Sequence, residues 1–340
     1  MFPSDLNPGP SPTHGLDPMD GPDPRKGLGD LIVIFGPTAT GKSELAFHLA
    51  RRIGGRVINA DSIQVYRGLD AGSCKPPAQA RRDVPHDLID VADPVEPFSA
   101  GRFAREAATC IEACRAAGAI PIVAGGTGLY LRALLQGIAP MPPRDEALRQ
   151  RLYDRARDSS PEALHDELRR LDPETAGRLG RRDLHRVVRA LEVLGLTGVP
   201  MSRHIRENAF RPDALPALKI GLTMERRALY QRVNERVELI FRLGIVDEVR
   251  ALLAAGVAPG CNAFKALGYR EVLGHLRSET DLERTIDLVK RNTRRYARRQ
   301  ITWFRRETGA HWFQVGVGGE SLEAIARTVA DMHGARASGG

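Results

Sequence analysis

Cysteine is scarce: the chain has four in 340 residues, at Cys74, Cys110, Cys114 and Cys261. Cys110 and Cys114 sit four apart in "REAATCIEACRAAG", which reads as helix, and no further ligand pair lies near enough for a zinc site. The pattern implies buried or idle thiols, a reducing compartment and no structural metal. Long apolar runs are missing too, and none is long enough to span a bilayer. The opening stretch "MFPSDLNPGPSPTHGLDPMDGPDPRKGLGD" is crowded with Pro, Gly and Asp. It has neither the apolar core of a signal peptide nor the acid-poor, Arg-rich character of a transit peptide. A disordered extension over residues 1–28 of a soluble, cytoplasmic protein is expected.

Acid is absent in one particular place. "KRNTRRYARRQITWFRR", Lys290 to Arg306, holds eight Lys or Arg and no Asp or Glu, with Tyr296, Trp303 and Phe304 interleaved. A solvated helical face is the ordinary explanation of a charge run, yet such faces usually carry compensating acids. Phosphate-backbone contacts with an RNA fit the segment better. The net charge of +8 permits such a partner without requiring it.

What the chain does have is an alternation of strand and helix signals. "LIVIF", "GPTATGKS" and "ELAFHLARRIG" read strand, loop, helix. "GRVINAD" and "AIPIVAG" are further apolar strands, "HDLIDV" a candidate third, and "ALKIGLTM" and "HWFQVGV" later ones. The expected fold is α/β: a P-loop NTPase-like parallel sheet flanked by helices. From Arg144 to His204 strand signals stop and short helices follow, so an all-helical insertion domain is expected at 144–204. The core then comprises 29–143 and 205–330, with a tail at 331–340.

"GPTATGKS" has the spacing G-x-x-x-x-G-K-S between a strand and a helix, the context a phosphate cradle demands. Gly36, Pro37, Thr38, Ala39, Thr40, Gly41, Lys42 and Ser43 would form it. Its amides and the positive end of the next helix face an anion, Lys42 reaches terminal phosphate oxygens, and Ser43 offers a hydroxyl to Mg²⁺. Alone, the loop fits ATP as well as another diphosphate. Asp61 ends the second strand and can be a general base or an ordinary strand-end cap. Asp90 is a second acid that could support Mg²⁺ or simply close a strand. The "GGTGLY" turn, with Thr127, is either a close backbone approach to a ligand or a plain strand-to-helix turn.

Together these segments resemble the tRNA dimethylallyltransferase family, also called tRNA isopentenyltransferase, from about Leu31 to Arg306. The resemblance is carried by "GPTATGKS", "DSIQVYRGLDAGSCKP", "VPHDLIDVADPVEPFSAGRF", "GGTGLYLRALLQG", "DLHRVVRALEVLGLTGVPMS", "GLTMERRALYQRVNERV", "ALGYREV" and "TRRYARRQITWFRR" in that order. It implies transfer of a dimethylallyl group from dimethylallyl diphosphate to N6 of the adenosine 3′ of a tRNA anticodon. The phosphate loop would then hold a prenyl diphosphate with Mg²⁺. Asp61 matches the base, and Lys42, Thr127 and Arg226 match its catalytic neighbours. Asp61, Ser62, Ile63, Gln64, Thr127, Arg149 and the run His185, Arg186, Val187, Val188, Arg189 match tRNA-contacting positions. Arg294, Arg295, Arg298 and Arg299 would grip the anticodon stem. The family also implies a monomer. Thr40, Cys74 and Asp87 depart mildly from the usual motifs, and no zinc-finger tail follows, as in the bacterial type.

A small-molecule or nucleotide kinase, a prenyltransferase acting on free adenine nucleotides and an RNA-binding NTPase share parts of this pattern. The kinase and the free-nucleotide enzyme leave the acid-free basic segment unexplained.

Overall fold

The computed structural model describes residues 31–207, 215–316 and 318–338, so the expected N-terminal extension lies outside the described residues. The chain runs β1 (Ile32–Phe35), α1 (Lys42–Ile53), β2 (Gly55–Asn59), α2 (Ala78–Asp83), β3 (His86–Asp87), α3 (Ala100–Ala116), β4 (Ile120–Gly125) and α4 (Gly128–Gln136). Five helices follow without a strand: α5 (Glu146–Asp158), α6 (Pro161–Leu171), α7 (Pro173–Arg178), α8 (Leu184–Thr197) and α9 (Met201–Glu207). The sheet resumes with β5 (Leu218–Thr223), then α10 (Arg226–Arg242), α11 (Ile245–Ala254), α12 (Tyr269–Leu276), α13 (Leu282–Phe304), β6 (Ala310–Gln314) and α14 (Leu322–Ser338).

All six strands are parallel, in the order β3-β2-β4-β1-β5-β6. The apolar runs become inner strands because both faces are covered. In β1 the side chains alternate. Ile32 and Ile34 pack with Leu45 and Leu49 of α1 and Val329 of α14. Leu31, Val33 and Phe35 pack with Phe103 and Ile111 of α3 and Tyr130 of α4. Each such side chain contributes about 1.5–3 kcal/mol on burial, so this two-sided core fixes where the strand ends lie.

Helices α5 to α9 build a separate small core from Leu152, Leu164, Leu168, Val187, Val188 and Leu191. Ser160 caps α6 by accepting from Ala163 N, and Asp172 caps α7 by accepting from Thr175 N. In α13 the buried residues Thr285, Val289, Ala297, Gln300 and Phe304 form one stripe. Arg291, Arg295, Arg298 and Arg299 are left exposed.

One expectation needs correction. The strand read in "HDLIDV" shrinks to His86–Asp87, because Leu88 and Asp90 adopt φ of 58° and 59° and turn the chain out of register. Of the expected tail at 331–340, residues 331–338 continue a helix. The helix α14 runs to Ser338 and buries Ile325, Ala326 and Val329 against α1 and the sheet.

Candidate active site

In the sheet β4 lies between β1 and β2, with Phe35 paired to Gly125 and Asn59 to Ala124. The phosphate loop, Asp61 and the Gly126–Thr127 turn leave the carboxyl ends of these three strands. Two strand spacings separate β1 from β2, so the loop and Asp61 face each other across roughly 10 Å. The crevice outside such strand ends is where open α/β sheets bind ligands.

The phosphate loop is held open by its own backbone. Ala39 and Gly41 take φ of 67° and 88°, and α1 then begins at Lys42 with no side chain capping it. The first N–H groups of that helix and its positive end are left for a ligand. Thr40 is fully buried and donates to Pro37 O at 2.9 Å, so its hydroxyl braces the loop and does not face an anion. Ser43 is exposed at the start of α1.

Lys42 donates to Pro37 O at 2.7 Å. The residue as a whole is only partly buried, but its ammonium is enclosed. Lost hydration pulls it down from the ordinary 10.5 to about 7. The Arg236 guanidinium pushes the same way, and the Asp61 carboxylate opposes them. The site is short of negative charge, which an anionic ligand would supply.

Asp61 is fixed by short-range bonds. Its Oδ1 accepts from Ile63 N at 2.9 Å, while its own N–H donates to Asn59 Oδ1 at 3.2 Å. Asn59, buried, ties on through Nδ2 to Leu88 O at 3.0 Å. Asp61 Oδ2 takes no hydrogen bond from a described residue. Thr127 joins the two loops: its Oγ1 accepts from Ser62 N at 3.0 Å and donates to Ser62 Oγ at 3.3 Å. The strand ends approach so closely that a Cβ on Gly125 would lie 2.2 Å from Ala60 O, which explains a glycine there.

The third wall comes from residues that sequence reasoning missed. Arg236, on α10, donates to Ser73 O at 3.2 Å and carries its charge to Lys42. Its only signal in sequence is a cation between the buried Val233 and Val237. Gln300, on α13, is 6% exposed, accepts from Thr38 N at 2.8 Å and donates to Gly126 O at 2.8 Å. Tyr296 one turn earlier is pushed up to about 12 by burial and then by Asp61. Gln64, also buried, does not face the crevice with its amide, which donates to Ser73 O at 3.2 Å.

A second layer steadies the Asp61 loop. Glu248 accepts from Asp70 N, Ala71 N and Tyr269 Oη at 2.8, 2.7 and 2.7 Å. Lys75, its side chain 3% exposed, donates to Tyr66 O at 2.7 Å and pairs with Asp70 and Asp90. Asp90 also pairs with Arg81 at 2.9 Å, so its carboxylate is occupied by cations.

The remaining candidate residues divide. Arg226 stands exposed at the first turn of α10 against Tyr230, ten residues and roughly 15 Å of helix rise from Arg236. The geometry brings Arg236 to the Lys42 ammonium instead. Arg149 turns inward, 5% exposed, with Nη1 donating to Glu192 at 3.1 Å. Arg189 binds the same carboxylate at 2.8 Å, and Val187 and Val188 are fully buried. A carboxylate buried within a small helical core has to be paired, so these four residues build the insertion. In that run His185 and Arg186 are exposed. Arg295, Arg298 and Arg299 are exposed on α13, while Arg294 donates to Asn234 Oδ1 at 2.6 Å.

A cavity of about 270 Å³ lined by Pro37, Leu222, Thr223, Phe304 and Trp312 opens on the β5 side of β1, away from β4 and Asp61. It is not where cradle and carboxylate meet. Among the described residues no group of acids, histidines and cysteines could hold a metal unaided, and no helix is long and apolar enough to cross a membrane.

The chain matches the family model described as IPP transferase over residues 64–307, and that of isopentenyl transferase over residues 29–84. It is 46% identical over 296 residues to the tRNA dimethylallyltransferase of Geobacter sulfurreducens, covering 87% of this chain and 95% of that protein. To the tRNA dimethylallyltransferase 1 of Pelobacter propionicus it is 46% identical over 284 residues, covering 84% and 92%. Among solved structures it is similar to the tRNA isopentenylpyrophosphate transferase of Bacillus halodurans, with a TM-score of 0.65, 37% identity and coverage of 91% and 98%. A eukaryotic dimethylallyltransferase acting on tRNA superposes with a TM-score of 0.70, at 28% identity and coverage of 88% and 77%.

Proposed function

This chain belongs to the IPP transferase family, the tRNA dimethylallyltransferases, and from that premise we propose how its site works. The enzyme is a prenyltransferase that acts on tRNA. Its donor is dimethylallyl diphosphate, and its acceptor is N6 of adenosine 37, beside the anticodon. The observation that carries this reading is electrostatic: Asp61 and Lys42 face one crevice closely enough for the carboxylate to act on the ammonium. A proton acceptor and a phosphate cation thus share one site.

In the proposed reaction the adenine leaves the anticodon-loop stack to enter the crevice. The bond between C1 of the dimethylallyl group and its diphosphate oxygen breaks, and the electron pair leaves with diphosphate. A bond forms from N6 to C1, and the N6 proton passes to Asp61 Oδ2. The exocyclic amine is a weak nucleophile, so a base here is worth on the order of 10²–10⁴ in rate. The amides of α1, Lys42 and Arg236 meet the charge developing on the leaving group. Thr127 and Ser62 hold the two loops at a fixed separation around the acceptor. The exposed Ser43 hydroxyl at the cradle suits Mg²⁺, which takes few protein oxygens and prefers phosphate and water. Mg²⁺ bound there would neutralise part of the diphosphate charge.

The exposed Arg295, Arg298 and Arg299 of α13, with His185 and Arg186 of the insertion, are the cations available to the anticodon-stem backbone. The enzyme acts as a cytoplasmic monomer. The test is to incubate the protein with unmodified tRNA, Mg²⁺ and either ATP or dimethylallyl diphosphate, then digest the tRNA and weigh its nucleosides. N6-dimethylallyladenosine should appear with the prenyl donor alone. ATP turnover with unchanged nucleosides would favour an RNA-binding NTPase.

A further inference from the structure

We propose that Gln300 sets the length of phosphate chain the cradle accepts, so that the loop takes a diphosphate ester and turns away a triphosphate. This rests on the reading of the site as a prenyl-diphosphate site. In a loop of this spacing the amides at the start of the helix hold the inner phosphates and the lysine reaches the outermost. A third phosphate would need donors from the front half of the loop, and space beyond the lysine.

The Thr38 donor is taken here, and Gln300 narrows the turn beside the lysine. The Thr38 N–H donates to Gln300 Oε1 at 2.8 Å, and Gln300 Nε2 donates to Gly126 O at 2.8 Å. The same amide and the Lys42 ammonium both border Gly126. The point where a Cβ on Gly126 would lie is 2.5 Å from Gln300 Nε2 and 3.6 Å from Lys42 Nζ.

The chemistry of the side chain fits the task. A carboxylate here would repel any phosphate, and a lysine or arginine would recruit a third one. A neutral amide does neither, and it satisfies a backbone donor and a backbone acceptor that lie outside the strand ladders. Displacing it for a third phosphate would break two hydrogen bonds, one of them buried, and leave Gly126 O unpaired. Gln300 also sits on the helix whose outer face carries the exposed arginines, so the cationic surface and the phosphate loop are joined through one side chain.

The proposal is tested by calorimetric titration of the full chain, with Mg²⁺, against inorganic diphosphate and inorganic triphosphate. The wild type should hold diphosphate at least roughly tenfold more tightly, the worth of one charge-assisted hydrogen bond. Gln300→Ala should narrow the preference by roughly tenfold while diphosphate affinity changes much less. Because that change empties a buried position, Gln300→Asn, shorter by one methylene, carries the same expectation in a better-filled site. Equal affinity of the wild type for the two anions overturns the proposal, as does an unaltered ratio in the folded variants. Failure of the wild type to bind either anion would instead overturn the reading of the cradle itself.

Discussion

Lys42 provides the sharpest quantitative prediction. Its ammonium stands near 7 because the crevice strips its hydration and Arg236 faces it. A bound diphosphate supplies the missing counter-charge and should return it towards the ordinary lysine value of 10.5. At pH 8 only about 9% of the free protein then carries the Lys42 charge, so donor binding takes up about 0.9 proton, against about 0.5 at pH 7. Affinity for the donor should fall as pH rises, by about 50-fold between pH 7 and pH 9 if only the charged form binds. The second phosphate ionisation, near pH 6, lies below this window. The assay is calorimetry of dimethylallyl diphosphate binding in two buffers of unequal ionisation heat, which yields the protons exchanged. Lys42→Met should abolish the uptake and bind weakly at every pH. Affinity independent of pH between 7 and 9, with no proton uptake, would refute the electrostatic description of the cradle.

Other consequences are checked as directly. Neutralising Arg295, Arg298 and Arg299 together should weaken tRNA binding and reduce the slope of log affinity against log salt by roughly two to three. An unchanged slope would make α13 a solvated face. Arg149→Ala should destabilise the protein by about 3 kcal/mol in urea unfolding, because it leaves the fully buried Glu192 short of a cation. A purely tRNA-contacting Arg149 would leave stability alone. Thr127→Val keeps the shape but strips Ser62 N of its acceptor, and transfer should slow by roughly tenfold with little loss of tRNA affinity.

What the sequence made legible was whatever is local in the chain. The apolar runs of β1, β2, β4 and β5 are continuous, because inner parallel strands are covered on both faces, and they were readable as strands. The phosphate loop and Asp61 stand directly after such runs, so their place at the crevice was readable as well. What escaped depends on contacts between distant segments. Gln300 reaches Thr38 across 262 residues of chain, and no motif joins the two. Arg236 was one of many arginines on a helix until packing turned it to Lys42. Arg149 was expected at a tRNA contact from the family resemblance, and nothing in its local sequence marks it as buried. Only its pairing with Glu192 makes it core. The strand at His86–Asp87 ended early because of two left-handed residues that are not glycine, which no propensity signals.

The central claim is that Asp61 takes the proton from the amine that the donor in the Lys42 cradle alkylates. Its most direct test is the single-turnover rate of dimethylallyl transfer to tRNA by Asp61→Asn, measured beside its tRNA affinity. Asparagine keeps the shape and can still accept from Ile63 N. The account predicts affinity unchanged and a rate lowered by on the order of 10²–10⁴. Transfer at the wild-type rate would contradict it.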